Sequence, residues 1–272
     1  IVRLLEAHNS LAGLIIEELS HTTANSQKEF DGMWSSSLTD SVSRGKPDNQ
    51  AVDFSSRFLN LSDILDVTKK PVLFDADNGG RVEHIPYTVK TLERYGVSGI
   101  MLEDKVGLKR NSLFEDQSET KLEKISTFCN KIKVAKKATT SKDFLIGARI
   151  ESFIVGNGLA DAIKRGEAYS KAGADLILIH SKKNTPNEIF SFAKKFIKSK
   201  YYKPMVAVPS TYSSVTEADL IKNGFKIVIY ANHLIRSAYP AMLSTAKAIL
   251  KNNRSSEIEK KISSIKEIIE LI

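Results

Sequence analysis

The sequence predicts an α/β fold, a (β/α)8 barrel of TIM type with extra helices at its C-terminus. Three observations predict it. Eight short apolar, β-branched runs recur along the 272 residues, with helical stretches between them. The runs are continuously apolar, as strands covered on both faces must be, where a half-exposed strand would alternate. No GxGxxG turn follows the first run, which argues against an open dinucleotide-binding sheet. Barrels of this kind commonly reach about 250 residues as one domain. The chain is therefore read as a single domain over 1–272, with 232–272 as a helical segment for barrel closure and subunit packing, and no linker or repeat divides it.

The first run, IVRLLEA (1–7), is followed by SLAGLIIEEL, whose apolar residues at 11, 14, 15 and 19 share one helical face. FDGMW (30–34), PVLFDA (71–76), GIMLED (99–104) and FLIGARI (144–150) supply the next four strands. LADAIKRGEAYSKAG then reads as a helix ending on a glycine suited to its C-terminus. DLILIH (175–180), PMVAVP (204–209) and KIVIYA (226–231) complete the eight. Two helices follow, at about 232–252 and 255–272, the second showing three-to-four spacing in IEKKISSIKEIIELI. One closes the barrel; the other needs an apolar surface, such as a neighbouring subunit.

Composition narrows the class. With 42% apolar and 26% charged residues the chain has the makings of a sizeable core, and disorder is excluded. No apolar run reaches the roughly 18 residues that span a bilayer, and no signal-peptide pattern opens the chain, so a cytoplasmic protein without membrane contact is expected. The single cysteine, Cys129, forbids an internal disulfide and a multi-cysteine metal site. The net charge of +8 comes from lysines scattered among glutamates, a solvated surface rather than a nucleic-acid footprint.

A barrel carries its chemistry at the C-terminal ends of its strands. There the sequence sets Glu6, His8 and Asn9, then Trp34 with Ser35-Ser36-Ser37, Asp75 and Asp77, Glu103-Asp104, Arg149 and Glu151, His180-Ser181, Pro209-Ser210-Thr211 and Asn232-His233. Carboxylates converging on one mouth repel unless a cation neutralises them. In FDADNGG (74–80), Asp75 and Asp77 share a strand face and two glycines let the chain turn sharply. A lone Asp-x-Asp is more often a capped turn; joined to Glu103 it becomes the all-oxygen set that Mg²⁺ or Mn²⁺ prefers. The SSSL turn could present backbone N–H groups to an anion, and Arg149 could grip a carboxylate or phosphate in bidentate fashion. Singly these residues have plain structural explanations, and His180 alone is more often a hydrogen-bonded core histidine.

The motifs LEAHN (5–9), MWSSSL (33–38), Asp48-Asn49, LFDADNGG (73–80), LEDKVGLKRNSL (102–113), ARIESFIVGNGLADAIKRGEAYSKAGAD (148–175), ILIHSKK (177–183) and VIYANHLIRSA (228–238) resemble phosphoenolpyruvate mutase of the isocitrate lyase superfamily. They run in order over essentially the whole chain. The resemblance implies Mg²⁺-dependent isomerisation of phosphoenolpyruvate and 3-phosphonopyruvate, which forms the carbon–phosphorus bond at the first step of phosphonate biosynthesis. It also implies a homotetramer built as a dimer of dimers, with a C-terminal helix exchanged between subunits, and a downstream enzyme that consumes phosphonopyruvate. By motif position, Asp75 ligates Mg²⁺ directly (Mn²⁺ being a possible substitute), and Asp48, Asp77 and Glu103 hold it through waters. Trp34, Ser36, Ser37 and Leu38 line the substrate pocket with Ser112, Arg149 and His180 contact the substrate, Asp48 joins the catalytic set, and a gating loop hinged at Gly107 carries Asn111 and Lys109 to the migrating phosphoryl group.

Some positions depart from the family pattern. Ser37 stands where glycine is usual, Val106-Gly107-Leu108 replaces a segment with Phe-Pro, and DADNGG varies DADTGYG. The loop change is expected to favour water, which makes phosphonopyruvate hydrolase the nearest rival; Asn111-Ser112-Leu113 favours the mutase. A carbon–carbon lyase of the superfamily would need a loop cysteine where this chain has KRNSL. A basic scaffold or nucleic-acid binder explains the charge but not the strand-end carboxylates.

Overall fold

Each apolar run forms a strand where the sequence placed it. The computed structural model describes residues 1–23 and 26–271. β1 (Val2–Glu6) leads into α1 (Ser10–Glu18), which Asn9 caps by accepting from the Ala12 N–H. A hairpin the periodicity did not predict comes next, β2 (Ser20–Thr23) paired antiparallel with β3 (Ser26–Glu29). Its residues are short and polar, so it carries none of the apolar signal by which strands are recognised. The remaining strands are β4 (Gly32–Ser35), β5 (Val72–Asp75), β6 (Gly99–Glu103), β7 (Leu145–Ile150), β8 (Leu176–Ile179), β9 (Met205–Ala207) and β10 (Phe225–Tyr230). With β1 they close a parallel barrel in the order β1-β10-β9-β8-β7-β6-β5-β4. Helices α3 (Phe54–Asp66), α4 (Ile85–Arg94), α5 (Ile125–Ala138), α6 (Gly158–Ala172), α7 (Asn187–Phe196) and α8 (Glu217–Lys222) alternate with them, and the short α2 (Ser37–Ser43) starts directly behind β4. Gly173 ends α6 in the left-handed conformation, as its place in the sequence suggested.

The barrel interior is filled by Leu4, Leu73, Met101, Leu176, Val206 and Ile229, beneath Trp34 and Leu178. Register then fixes the mouth: Glu6 stands opposite Trp34, Asp75 opposite Met101, and Glu103 opposite Arg149. Polar strand ends therefore arrive at one level above an apolar plug. Tight strand packing adds a constraint at Gly99, where a Cβ would come within 2.5 Å of the Leu145 carbonyl oxygen.

One helix reaches into the mouth from outside. On α3 the buried stripe is Arg57, Leu61 and Ile64, so a guanidinium occupies a position that helical spacing reserves for an apolar side chain. Its Nε donates to Asp40 Oδ2 (2.8 Å), Nη1 to the Asp75 carbonyl (2.6 Å) and Nη2 to the Ser35 carbonyl (3.3 Å). The guanidinium lies 4.1 Å from the centroid of Phe74. Arg57 thus ties the ends of β4 and β5 to α2 and places a buried positive charge beneath their carboxylates.

The chain divides into two compact units, Ile1–Asn232, which holds the barrel, and His233–Ile272. The second unit contains α9 (His233–Asn252), as expected, but no continuous helix over 255–272. Asn253 turns out of α9 with φ 52°, a 3-10 turn covers Glu259–Lys261, and α10 (Ile265–Ile269) is a fresh short helix. Ser264 causes the restart: its hydroxyl accepts from the Glu267 N–H while its own N–H donates to the Glu267 carboxylate. Serine side chains compete for backbone groups inside a helix and favour its start, so the three-to-four spacing was overridden by a cap. Ile272 lies outside the described residues. This unit exposes Tyr239, Met242, Leu250, Ile265, Ile268 and Ile269.

Removing Arg57 strands Asp40 in a dry site, so Arg57→Ala is expected to lower the free energy of unfolding by about 3–5 kcal/mol in urea titrations. A loss under about 1 kcal/mol would contradict its bracing role. Gly99→Ala should cost about 1–3 kcal/mol through overpacking against Leu145, and wild-type stability would show that the strands can part there.

Candidate active site

Asp75 closes β5, and Asp77 follows in a left-handed conformation (φ 49°) that turns its carboxylate back over the mouth. Gly79 and Gly80 both take positive φ, which completes the turn expected of them. Glu103 ends β6, Arg149 lies in β7, and Glu151 and His180 stand just past the ends of β7 and β8. All five of these acidic and basic strand-end side chains, with His180, are buried or nearly so.

Over this layer lies the segment 105–120, which is irregular apart from a bridge between Lys105 and Leu122. Four of its side chains reach down, the first being Lys105, whose Nζ lies 3.5 Å from Glu103 Oε2. Lys109 Nζ contacts the Ser37 hydroxyl, sits 2.5 Å from Asp77 Oδ1 and 3.1 Å from Asp48 Oδ1, and is 3.8 Å from Asp75 Oδ2. Asn111 Nδ2 donates to Asp48 Oδ2 (2.7 Å). The Ser112 hydroxyl donates to Glu151 Oε2 and accepts from Lys105 Nζ and Arg149 Nη2, each at 2.8 Å. The segment's apolar residues, by contrast, point outward: Leu108 is 71% exposed and Phe114 60%. Polar contacts, not a hydrophobic seal, hold this lid down. Gly107 has φ 82°, and its carbonyl accepts from Asn78 Nδ2 (2.9 Å).

Glu151 organises the far wall. It accepts from Arg149 Nε, and its Oε1 lies 3.0 Å from His180 Nδ1. Arg149 Nη2 is 3.4 Å from Glu103 Oε2 and 3.1 Å from His180 Nδ1. Burial opposes the Glu151 charge, but Arg149 and His180 hold its carboxyl well below the ordinary value. Burial lowers His180 below its usual value, with Arg149 adding to that and Glu151 opposing it. For Asp75, burial pulls upward, yet Lys109, Arg149 and Arg57 keep it far below the normal carboxylate range. Glu103 is the exception: burial, aided by Glu151, outweighs Lys105 and Arg149 and pushes it up to about 7. Burial also opposes the Lys109 ammonium, but Asp75, Asp77 and Asp48 hold it protonated.

These carboxylates suit a hard divalent cation by the chemistry of their donors. Among the described residues no three His, Cys, Asp or Glu side chains converge tightly enough to cage an ion unaided. Mg²⁺ needs no such cage, since one or two carboxylates and several waters suffice. Two further features fit. A cation, the Lys109 ammonium, already sits among Asp48, Asp75 and Asp77, and the buried Glu103 Oε2 accepts no hydrogen bond, its nearest cations being Arg149 at 3.4 Å and Lys105 at 3.5 Å.

Beside the cluster is a cavity of about 60 Å³ lined by Trp34, Ser36, Asn111, Arg149, His180 and Asn232. Leu38, Ser37, Asp48, Asp75, Lys109 and Ser112 also border it, so most of the residues expected to bind substrate meet there. A wider cleft of about 1100 Å³ opens outside the lid, between segments 38–49 and 105–120. Ser37 differs in detail from the expectation of an anion-binding turn: its hydroxyl donates to Asp75 Oδ2 (2.8 Å) and its N–H lies 3.4 Å from the same oxygen. Asp104, beside Glu103, faces away from the site to Arg165 and Tyr169 (2.7 Å), a structural role. Arg57 and the anchoring part played by Glu151 escaped sequence reasoning. A charged residue on the apolar stripe of α3 is the signal that marks Arg57.

Comparison with known proteins places this geometry. Residues 1–250 match the family described as phosphoenolpyruvate phosphomutase. The chain is 38% identical to a phosphoenolpyruvate phosphomutase of Tetrahymena pyriformis, with 98% of this chain and 85% of that protein covered. It is 36% identical to a phosphonopyruvate hydrolase of a Variovorax species, covering 98% and 88%. Among solved structures, a phosphoenolpyruvate phosphomutase from Streptomyces platensis subsp. rosaceus superposes with TM-score 0.90 at 34% identity, over 99% of this chain and 90% of that one. A phosphonopyruvate hydrolase in complex with oxalate and Mg²⁺ gives 0.87 at 35%, over 100% and 89%. The parallel barrel, its strand-end carboxylates and the lid above them belong to a member of the phosphoenolpyruvate phosphomutase family.

Proposed function

We propose that this chain is an isomerase that interconverts phosphoenolpyruvate and 3-phosphonopyruvate by moving a phosphoryl group between carbon and oxygen of one molecule. The observation that supports this reading is the lid: Asn111 and Ser112 are latched to Asp48 and Glu151 beside Arg149 and His180, an arrangement that would shield the reaction space from water. In the direction from phosphonopyruvate, the carbon–phosphorus bond breaks and a bond from phosphorus to the enolate oxygen forms. No proton is gained or lost, so the site needs positioning and charge rather than an acid and a base. Such transfers pass through a loose, metaphosphate-like arrangement that water would intercept.

Arg149, charged and held by Glu151, offsets negative charge on the phosphoryl oxygens, and His180, which Glu151 orients, adds a polar contact. Asn111 offers its amide to the migrating group, and Asp48 fixes where that amide points. Lys109 adds positive charge on the lid. Trp34, Ser36, Ser37, Leu38 and Ser112 shape the pocket. Asp75 would hold Mg²⁺, or Mn²⁺ in its place, with Asp48, Asp77 and Glu103 reaching it through waters; the ion would offset charge on the substrate's enolate oxygen. The reading extends to a cytoplasmic homotetramer, a dimer of dimers in which the C-terminal segment is exchanged, an arrangement that would cover the exposed apolar side chains of α9 and α10. Carbon–phosphorus bond formation is uphill, so a downstream enzyme must consume phosphonopyruvate. No helix among the described residues is long and apolar enough to cross a membrane.

Hydrolysis is the second reading, favoured by the exposed Val106-Gly107-Leu108 in the lid. A carbon–carbon lyase finds no nucleophile here, because KRNSL has no cysteine and Cys129 lies on α5.

³¹P NMR of the protein with Mg²⁺ and phosphonopyruvate separates the first two. Phosphoenolpyruvate should grow in before any phosphate, and EDTA should stop it; phosphate as first product would make the chain a hydrolase. Asp75→Ala should lower Mg²⁺-dependent turnover by about 100-fold or more, and unchanged activity would remove the metal assignment. Asn111→Ala should cost about 10²–10³ in kcat with the melting temperature nearly unchanged. Normal turnover in that variant would sink the lid's catalytic part.

A further inference from the structure

Lys109 stands where a metal ion would be expected to stand. Its Nζ is buried and touches Ser37, Asp77, Asp48 and, at longer range, Asp75. We infer that Lys109 is a tethered counter-cation that competes with the divalent ion for this cluster, so that the ion entering alone unseats the lid. The inference rests on the proposed metal site and adds its regulation.

Three observations carry it. First, the contested oxygens are the same. Asp75 is the proposed direct ligand and Asp77 and Asp48 its water-mediated partners, and a doubly charged ion within about 4 Å of an ammonium meets strong repulsion in a buried site. Second, the cluster needs a cation to be stable. The side chains of Asp48, Asp75, Asp77 and Glu103 are buried close together, and Arg57 below them reaches Asp77 only at 3.9 Å, its hydrogen bonds going to Asp40 and two carbonyls. Third, the lid has no apolar seal. Val106, Leu108 and Phe114 are exposed, so the 106–114 stretch is held by polar contacts: the side chains of Lys109, Asn111 and Ser112, the Asn78–Gly107 contact, the Val106 N–H on the Lys121 carbonyl, and Lys105 and Gln117 on the backbone carbonyls of Arg110 and Asn111. A charge displaced at Lys109 therefore acts on Asn111 two residues away.

The same charge balance gives the order of events. A dianionic ligand adds negative charge to the mouth, and then both cations can remain. Metal alone should bind weakly with the lid loosened; metal with an anion should bind tightly with the lid shut. Lys109 would thus make closure depend on substrate, not on metal.

The test measures Mn²⁺ binding to metal-stripped protein by the EPR signal of the free ion, without and with oxalate. Lys109→Met is expected to bind Mn²⁺ alone about tenfold more tightly than wild type, and oxalate should tighten Mn²⁺ binding less in the variant than in wild type. Equal or weaker Mn²⁺ affinity in folded Lys109→Met overturns the inference while leaving the metal site standing. If neither protein binds Mn²⁺ at millimolar concentration, the metal site itself fails and the inference with it. Amide exchange of residues 106–114 in wild type decides the matter even if the variant does not fold. Exchange should speed up with Mn²⁺ alone and slow again with oxalate; unchanged or greater protection with Mn²⁺ alone overturns the proposal.

Discussion

Everything at the mouth of this barrel depends on balancing buried carboxylates with cations. Parallel strands in fixed register deliver Asp75 and Glu103 to one level, and a left-handed turn adds Asp77. Leaving such groups charged and dry costs several kcal/mol each unless partners are supplied. The chain supplies them from three directions: Arg57 from α3 beneath, Arg149 from the neighbouring strand, and Lys109 from the lid above. Fold stability, substrate affinity and lid position are consequently one electrostatic problem, and a change in any of these charges is felt by the others.

The lid shows how function is built from that constraint. A hydrophobic lid would close whenever water could be expelled, with or without substrate. This one presents ammonium, amide and hydroxyl groups to the interior and leaves its leucine and phenylalanine side chains in solvent. Its closed position is therefore sensitive to the charge it covers. Ser112 shows the arrangement most clearly, because a single hydroxyl joins Lys105, Arg149 and Glu151 and so ties the lid to the wall formed at the end of β7.

The eight strands were legible because burial on both faces makes a run of apolar residues with no alternation to blur it. The strand-end carboxylates were legible for a related reason: a charged residue directly after such a run is conspicuous. The paired strands Ser20–Thr23 and Ser26–Glu29 were not, since they are built of polar residues with no apolar run, and the expected helix over 255–272 yielded to a serine cap that spacing alone does not reveal. Arg57 was hidden in the sequence as one of many basic residues, and only its place on the apolar stripe of α3 distinguishes it. The place of Lys109 in the segment after β6 follows from the sequence, but its seat among the carboxylates is a three-dimensional fact that the spacing of EDKVGLKRNSL does not contain.

The central claim is that the closed site passes a phosphoryl group within one molecule without admitting water. The most direct test is turnover of phosphonopyruvate in ¹⁸O-enriched water with Mg²⁺, followed by mass spectrometry of the products. The account predicts phosphoenolpyruvate as the dominant product from the first turnovers, with no ¹⁸O in its three non-bridging phosphoryl oxygens. Inorganic phosphate carrying one ¹⁸O atom as the main early product would contradict it and show that water, not the enolate oxygen, receives the group.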